Sequence, residues 1–153
     1  MNEAITTVQA PAPRTRPAII ARHRVALAIW PESARVGRVR QEVAATLRAW
    51  ALAEAVDDSV LVVNELVANA VEYAPAEPIE LTVTFGDGSL LIEVRDGSTA
   101  PPMRTEAAGP ESEGGRGLEI VQALSSDWGW HPLEDAAKTV WALVPVRQAQ
   151  LQP

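Results

Sequence analysis

The 153-residue sequence contains no cysteine, only two histidines and no long apolar run. Without thiols, a disulfide framework and a thiolate metal site are both excluded, and His23 and His131 are too few and too far apart for a zinc cluster. The sequence also lacks a run of about 18 apolar residues and a signal-type start, which predicts a cytoplasmic protein that neither spans a membrane nor is exported. Any bound metal is expected to be a hard cation with oxygen ligands.

The sequence also lacks an excess of positive charge, because its formal net charge is −7. Nucleic-acid binding normally needs clustered lysine and arginine, so a nucleic-acid partner is not expected. The only local basic excess is Arg14, Arg16, Arg22 and Arg24, which we interpret as a solvated arm without a function. The expected partners are other proteins and a small ligand.

The length and the 47% hydrophobic content suit one core of ordinary size, and therefore one domain. Residues 1–20 are rich in Pro, Ala and Thr without a period, so we predict a disordered N-terminal tail. The domain is expected to span residues 21–147, and residues 148–153 are expected to form a C-terminal tail.

Hydrophobic periodicity and turn residues predict helices packed on one face of a sheet. The predicted strands are residues 23–29, 79–85, 90–96, 127–132 and 138–144, and the predicted helices are residues 34–52, 59–74 and 117–124. Residues 97–115 have no period, and a loop of this length in a compact domain suggests a lid. The predicted fold class is α+β, a two-layer sandwich with a mixed, mainly antiparallel sheet. Trp128 and Trp130 share one strand face and are expected in the core.

Two polar residues interrupt the second predicted helix. Glu65 and Asn69 are four residues apart and therefore share one face, among Leu66, Val67 and Ala70. An unpartnered carboxylate or amide in an apolar setting costs several kcal/mol, roughly 2–7 on transfer scales. The pair therefore faces either a cavity that supplies a partner or solvent, and the helix alone leaves both interpretations open.

Asp96 ends a strand whose alternation indicates its direction. Leu90, Ile92, Val94 and Asp96 share one face, and the first three mark that face as core. An inward carboxylate is suited to accept a hydrogen bond from a ligand amino group, such as the exocyclic amine of adenine. The alternative is that Asp96 only starts a turn with Gly97.

The glycine-rich segment GGRGL, residues 114–118, opens the short third helix. Free backbone N–H groups and the helix dipole favour a phosphate at such a helix start. No Lys followed by Ser or Thr comes after the glycines, so this is not a P-loop, and no strand precedes them as in a dinucleotide fingerprint. Glycine also serves plain turns, so the cluster alone does not identify a ligand.

In combination, these features resemble the ATP-binding domains of histidine kinases, gyrase, the heat-shock chaperone and mismatch-repair ATPases. The local segments VNELVANAVEYA, EVRDGSTAPP, GGRGLEIVQALSSDWGW and KTVWAL are most similar to the bacterial anti-sigma-factor serine/threonine kinases. The resemblance covers residues 25–144 and implies the Bergerat ATP-binding fold.

The resemblance also implies roles for particular residues. Asn69 would be the magnesium ligand, Glu65 the general base and Asp96 the residue that reads adenine, with Thr139 as a second adenine contact. The remaining nucleotide-binding residues implied by the resemblance are Gly97, Ser98, Gly114, Gly115, Arg116, Gly117 and Leu118. The implied cofactors are ATP and Mg²⁺.

The resemblance implies an anti-sigma factor that binds a sigma factor and phosphorylates a small antagonist protein. Glu72 and Tyr73 stand where such kinases often have a basic or histidine pair, and they offer no positive charge to phosphates. A non-catalytic, ATP-dependent protein-binding switch is therefore the alternative function. A gyrase-type ATPase or a histidine autokinase would need further domains for which this length has no room. A homodimer is compatible with the sequence.

Overall fold

The computed structural model describes residues 11–31, 34–73, 78–102 and 117–147. Within these ranges, five strands form one sheet that carries three α-helices. The strands are β1 (His23–Ile29), β2 (Ile79–Gly86), β3 (Ser89–Asp96), β4 (Asp127–Leu133) and β5 (Ala137–Pro145). The helices are α1 (Val39–Ala49), α2 (Val56–Tyr73) and α3 (Gly117–Leu124), and short 3₁₀ helices lie at Ala34–Arg38 and Ala53–Ala55.

The strand order in the sheet is β1-β2-β3-β5-β4, and every neighbouring pair is antiparallel. Between β2 and β3 the turn is made by Asp87 and Gly88, with φ angles of 52° and 75°. Two successive positive φ angles suit a two-residue hairpin, because this backbone twist matches that of the flanking strands. The predicted α+β sandwich is confirmed, with an antiparallel rather than mixed sheet in the described part of the chain.

The main core lies between the helices and one face of the sheet. Helix α1 contributes a buried stripe of Val39, Val43 and Leu47, which recur at helical spacing. From the strands come alternate residues such as Ile92 and Val140. Burial of one such side chain contributes roughly 1.5–3 kcal/mol. Trp128 and Trp130 also belong to this core, as predicted.

Residues 11–22, here called the N-terminal arm, pass the β4 edge of the sheet and then cross the face opposite the helices. At that edge the Arg14 N–H donates a hydrogen bond of 2.9 Å to the Trp130 carbonyl, and Trp130 Nε1, on the helix-bearing side, donates one of 2.8 Å to the Pro11 carbonyl. On the opposite face, Trp141 Nε1 donates a hydrogen bond of 3.3 Å to the Arg14 carbonyl. Further along the arm, Arg16 Nε lies 2.8 Å from Glu93 Oε2. The arm therefore runs from β4 across β5 to β3 before the chain enters β1.

The arm corrects the expectation of a loose tail over residues 11–20 and of a solvated basic segment. Arg14 forms an ion pair with Asp127 and lies over the Trp141 ring, 5.0 Å from its centroid. The sequence did not indicate an ordered arm, because the arm has no periodic apolar pattern. It is held instead by backbone groups, indole donors and ion pairs. Residues 1–10, the predicted tail 148–153 and residues 103–115 of the predicted lid lie outside the described residues.

Candidate functional site

Helix α2 supplies the first part of the site. Its buried positions Val62, Val63, Leu66 and Val67 fix the helix against the core. Glu65 lies among them and is half-buried, with Asn64 Nδ2 3.4 Å from its Oε2. Asn69 is also half-buried, one turn further along the helix. Both side chains therefore lie at the border of the core, between a buried and a solvated position.

The Glu65 carboxylate lies against the beginning of α3. A Cβ atom built on Gly117 would be only 2.9 Å from Glu65 Oε1. A larger residue at position 117 would therefore require the carboxylate, the flexible end of the Glu65 side chain, to move away. The structure therefore brings Glu65 and Gly117 together, although they are far apart in the sequence. Unpaired N–H groups and the positive end of the helix dipole occur at such a helix start.

Asp96 ends β3 on the face of the sheet that carries the helices, and only 2% of it is exposed. The inward orientation predicted from strand alternation is confirmed. Its Oδ1 also accepts a hydrogen bond of 2.9 Å from the Ser98 backbone N–H, so the carboxylate closes the turn after β3 as well. Asp96 can therefore be an inward carboxylate and also the residue that starts the turn with Gly97.

Lys138 is a site residue that the sequence analysis did not identify. The Cα atom of Lys138 on β5 lies opposite that of Asp96 on β3, so the two side chains share the helix-bearing face. Lys138 Nζ donates hydrogen bonds of 3.0 Å to Asp96 Oδ1 and 2.9 Å to Oδ2. Each of the two side chains is 1% exposed, which makes this a fully buried ion pair.

Thr139 is not brought together with Asp96. It pairs with Arg95 in the register of β3 and β5, so its side chain lies on the arm-bearing face of the sheet. The predicted second adenine contact and Asp96 are therefore on opposite faces. Alternation in β5 did not reveal this, because both faces of the segment AKTVWALVP carry large apolar residues and only the pairing register distinguishes them.

The other predicted nucleotide-binding residues are distributed around these groups. Gly97 is exposed and Ser98 is half-buried after β3, where Ser98 Oγ accepts a hydrogen bond of 3.1 Å from the Ala100 N–H. Leu118, in the first turn of α3, is buried in the core. Gly114, Gly115 and Arg116 lie outside the described residues. Pro78, Ile79, Asp96, Gly97 and Ala137 are among the residues that line a pocket of about 440 Å³ at the end of β3.

The described residues contain no cluster of three or more His, Cys, Asp or Glu side chains that could hold a metal ion. A protein-only metal cage is therefore not part of the site that the structure describes. Asn69 offers one amide oxygen, and Mg²⁺ commonly binds through one or two protein ligands together with substrate phosphates. Within the described ranges, no helix is long and apolar enough to cross a membrane.

The fold and the site together define the class of histidine-kinase-like ATP-binding domains. The helices lie on one face of an antiparallel sheet, and a helical Glu lies against a glycine helix start on that same side. The chain belongs to the histidine kinase-like ATPase domain family, whose model matches residues 29–143, well over half of its length. No curated protein matches the sequence closely enough to count as a relative. An ATP-binding regulatory function is the one that this family supports.

Proposed function

We propose that the chain is an anti-sigma factor and protein serine/threonine kinase. It would bind a sigma factor in the cytoplasm and transfer the γ-phosphoryl group of ATP to a serine or threonine of a small antagonist protein. The observation that carries this proposal is the Glu65 carboxylate at the start of α3, against Gly117. A carboxylate beside a phosphate-binding helix start is where the proton of an incoming hydroxyl group must be accepted.

The described residues are compatible with ATP and Mg²⁺. The Asp96 carboxylate lies at the buried end of β3, where it offers an acceptor to a base amine. Gly117 adds no side chain at the start of α3, where a phosphate would approach backbone N–H groups, and Asn69 offers a neutral oxygen one turn from Glu65. The magnesium ion would supply charge neutralisation to the phosphates, while Glu65 holds the proton of the acceptor hydroxyl. Asn69 lies four residues after Glu65, on the same face of α2.

The kinase activity is tested by incubating the full chain with Mg-ATP labelled at the γ-phosphate and a panel of candidate antagonist proteins. We expect phosphoserine or phosphothreonine on one antagonist, and a loss of about 100-fold or more in rate with Glu65→Gln, since general base catalysis contributes about 10²–10⁴. Glu54→Gln is the matched control, because Glu54 is exposed in a 3₁₀ helix remote from the site. Wild-type protein that binds ATP but phosphorylates no antagonist would contradict the kinase proposal.

The second candidate function is a non-catalytic switch that binds a partner only in its ATP-bound state. Glu72 favours it, because this exposed carboxylate lies in the last turn of α2, three residues after Asn69, and that turn carries no basic residue. A negative charge there repels phosphates instead of stabilising them. Nucleotide-dependent capture of a sigma factor, unchanged by Glu65→Gln and without phosphoryl transfer, would support the switch.

A further inference from the structure

The buried pair of Asp96 and Lys138 leaves hydrogen-bonding capacity on both partners. An ionised carboxylate offers about four lone-pair sites, and an ammonium group has three N–H donors. Among the residues that the structure describes, Asp96 accepts two bonds from Lys138 and one from the Ser98 backbone. To the residues that the structure describes, Lys138 makes those two bonds with its ammonium group and no others. Within the described part of the chain, one acceptor site, on Oδ2, and one N–H donor therefore remain on this pair.

Removal of Lys138 from Asp96 during ligand binding would be costly. Both side chains are 1% exposed, so a displaced lysine would leave an uncompensated charge in a buried place. Breaking a buried pair by taking away one partner is strongly destabilising, whereas adding one hydrogen bond to each partner is not. The pair is therefore expected to stay intact when a ligand arrives.

We propose that Asp96 and Lys138 read the nucleobase jointly, Asp96 as acceptor and Lys138 as donor. This inference rests on the proposed nucleotide binding and adds Lys138 as a specificity-determining residue. An acceptor beside a donor fits a base edge with a donor beside an acceptor. Adenine presents this edge through its 6-amino group and N1, and guanine presents it through N1–H and O6. A carboxylate alone would contact only the donor of either edge.

The first test uses the wild-type protein and calorimetric titration with base analogues. 1-Deaza-ATP lacks the N1 acceptor, and the triphosphate of purine riboside lacks the 6-amino donor. A hydrogen bond to a charged group predicts at least a tenfold weaker Kd for each analogue than for ATP, about 1.4 kcal/mol or more. Equal Kd values for ATP and 1-deaza-ATP would overturn the role of Lys138, without affecting the evidence for ATP binding.

The second test uses Lys138→Met, with Arg95→Met as its matched control. Both substitutions remove a cation near Asp96, but Arg95 points to the other face of the sheet, where it pairs with Asp135 at the border of the pocket that Asp96 lines. Lys138→Met should bind ATP about tenfold more weakly and should no longer distinguish ATP from 1-deaza-ATP. Arg95→Met should keep the wild-type ratio. Circular dichroism checks that each variant folds. If Lys138→Met does not fold, the titrations of the wild-type protein with the base analogues decide the inference.

A parallel titration with GTP identifies the base. The triphosphate that the wild type binds more tightly is the one read, and Lys138→Met should weaken the binding of that triphosphate. Unchanged or tighter binding by Lys138→Met would overturn the inference, because it would show that Lys138 competes with the base for Asp96. Absence of binding for both ATP and GTP would overturn the proposed function itself, and the joint reading with it.

Discussion

Two neighbouring residues of β3 are equally well buried on opposite faces of the sheet, but they are covered by different means. Leu91 and Ile92 are neighbours on β3 that point to opposite faces, and their exposed fractions are 1% and 0%. Ile92 packs in the core under the helices, whereas Leu91 lies on the face that the N-terminal arm crosses. The helices cover their face by apolar packing, and the arm covers the other face through hydrogen bonds and ion pairs. Equal burial therefore does not imply equal resistance to change.

The largest expected effect compares alanine substitutions at these two neighbours. Ile92→Ala should lower the free energy of unfolding by about 3–5 kcal/mol, because regular helices cannot close a cavity beneath them. Leu91→Ala should cost about 2–3 kcal/mol, since an arm without secondary structure can move into the space. Urea unfolding followed by circular dichroism measures both values. A cost for Leu91→Ala as large as that for Ile92→Ala would remove the distinction between the two faces.

Removal of residues 1–16 should have the next largest effect. It deletes the carbonyl acceptors of Trp130 and Trp141 and the ion pairs of Arg14 and Arg16, so we expect a loss of about 2–3 kcal/mol in the free energy of unfolding. Tryptophan emission should shift to the red, because Trp141, which is 0% exposed in the full chain, becomes exposed to solvent in the truncated protein. The matched control removes only residues 1–10 and keeps the arm.

The same truncation, combined with the two alanine substitutions, tests whether the arm is what covers Leu91. In the protein that lacks residues 1–16, Leu91→Ala should cost less than about 1 kcal/mol, because its site is already open to solvent. Ile92→Ala should cost as much as in the full chain. If both substitutions kept their full cost, the arm would not be what covers Leu91.

The sequence predicted the helix-bearing face well because that face is built on periods. The stripe of Val39, Val43 and Leu47 and the alternation of Leu90, Ile92 and Val94 each specify which side is core. Asp96 was oriented correctly by the same alternation. The arm could not be predicted in this way, because a segment held by its backbone and by indole N–H donors leaves no apolar period in the sequence.

The site was predictable in part, for a related reason. Glu65 and Gly117 were each singled out, but their contact depends on how α2 and α3 pack, which no local pattern encodes. The resemblance pointed to Thr139, and no local pattern indicated that its neighbour Lys138 shares a face with Asp96, because a shift of one residue in a strand exchanges its two faces. Pairing with Asp96 resolves the register, and pairing is a property of the folded sheet.

A smaller effect is expected at the ion pair of Arg14 with Asp127. The hydrogen bond from Arg14 holds the pKa of Asp127 below its usual value. The stabilisation is therefore present above the ordinary aspartate pKa and is lost as the pH falls through the lowered one. Because both side chains are more than 40% exposed, Arg14→Ala should cost only about 0.5–1 kcal/mol at neutral pH, and less in high salt. Arg22→Ala, at an exposed arm residue, should cost nothing measurable. A cost for Arg14→Ala that does not change with salt would contradict an electrostatic role.

The smallest effect concerns Glu93, which lies beneath the arm. Burial raises the pKa of Glu93, and this effect outweighs the nearby positive charges of Arg16 and Arg24, which lower it. The folded protein therefore holds this proton to a higher pH than the unfolded chain does. It follows that the favourable contribution of Glu93 is complete below the ordinary glutamate pKa and is lost as the pH rises through the raised value.

Glu93→Gln isolates that contribution, because glutamine fills the same space and does not titrate in this range. Relative to the variant, the wild type should lose stability as the pH rises from the ordinary glutamate pKa, about 4.3, through the raised pKa of Glu93, by about 1 kcal/mol or less. Urea unfolding of both proteins at several pH values measures the difference. Glu80→Gln, at an exposed position on the same face, is the matched control substitution. If the wild type became more stable relative to Glu93→Gln as the pH rises, the positive charges of Arg16 and Arg24, rather than burial, would determine the pKa of Glu93.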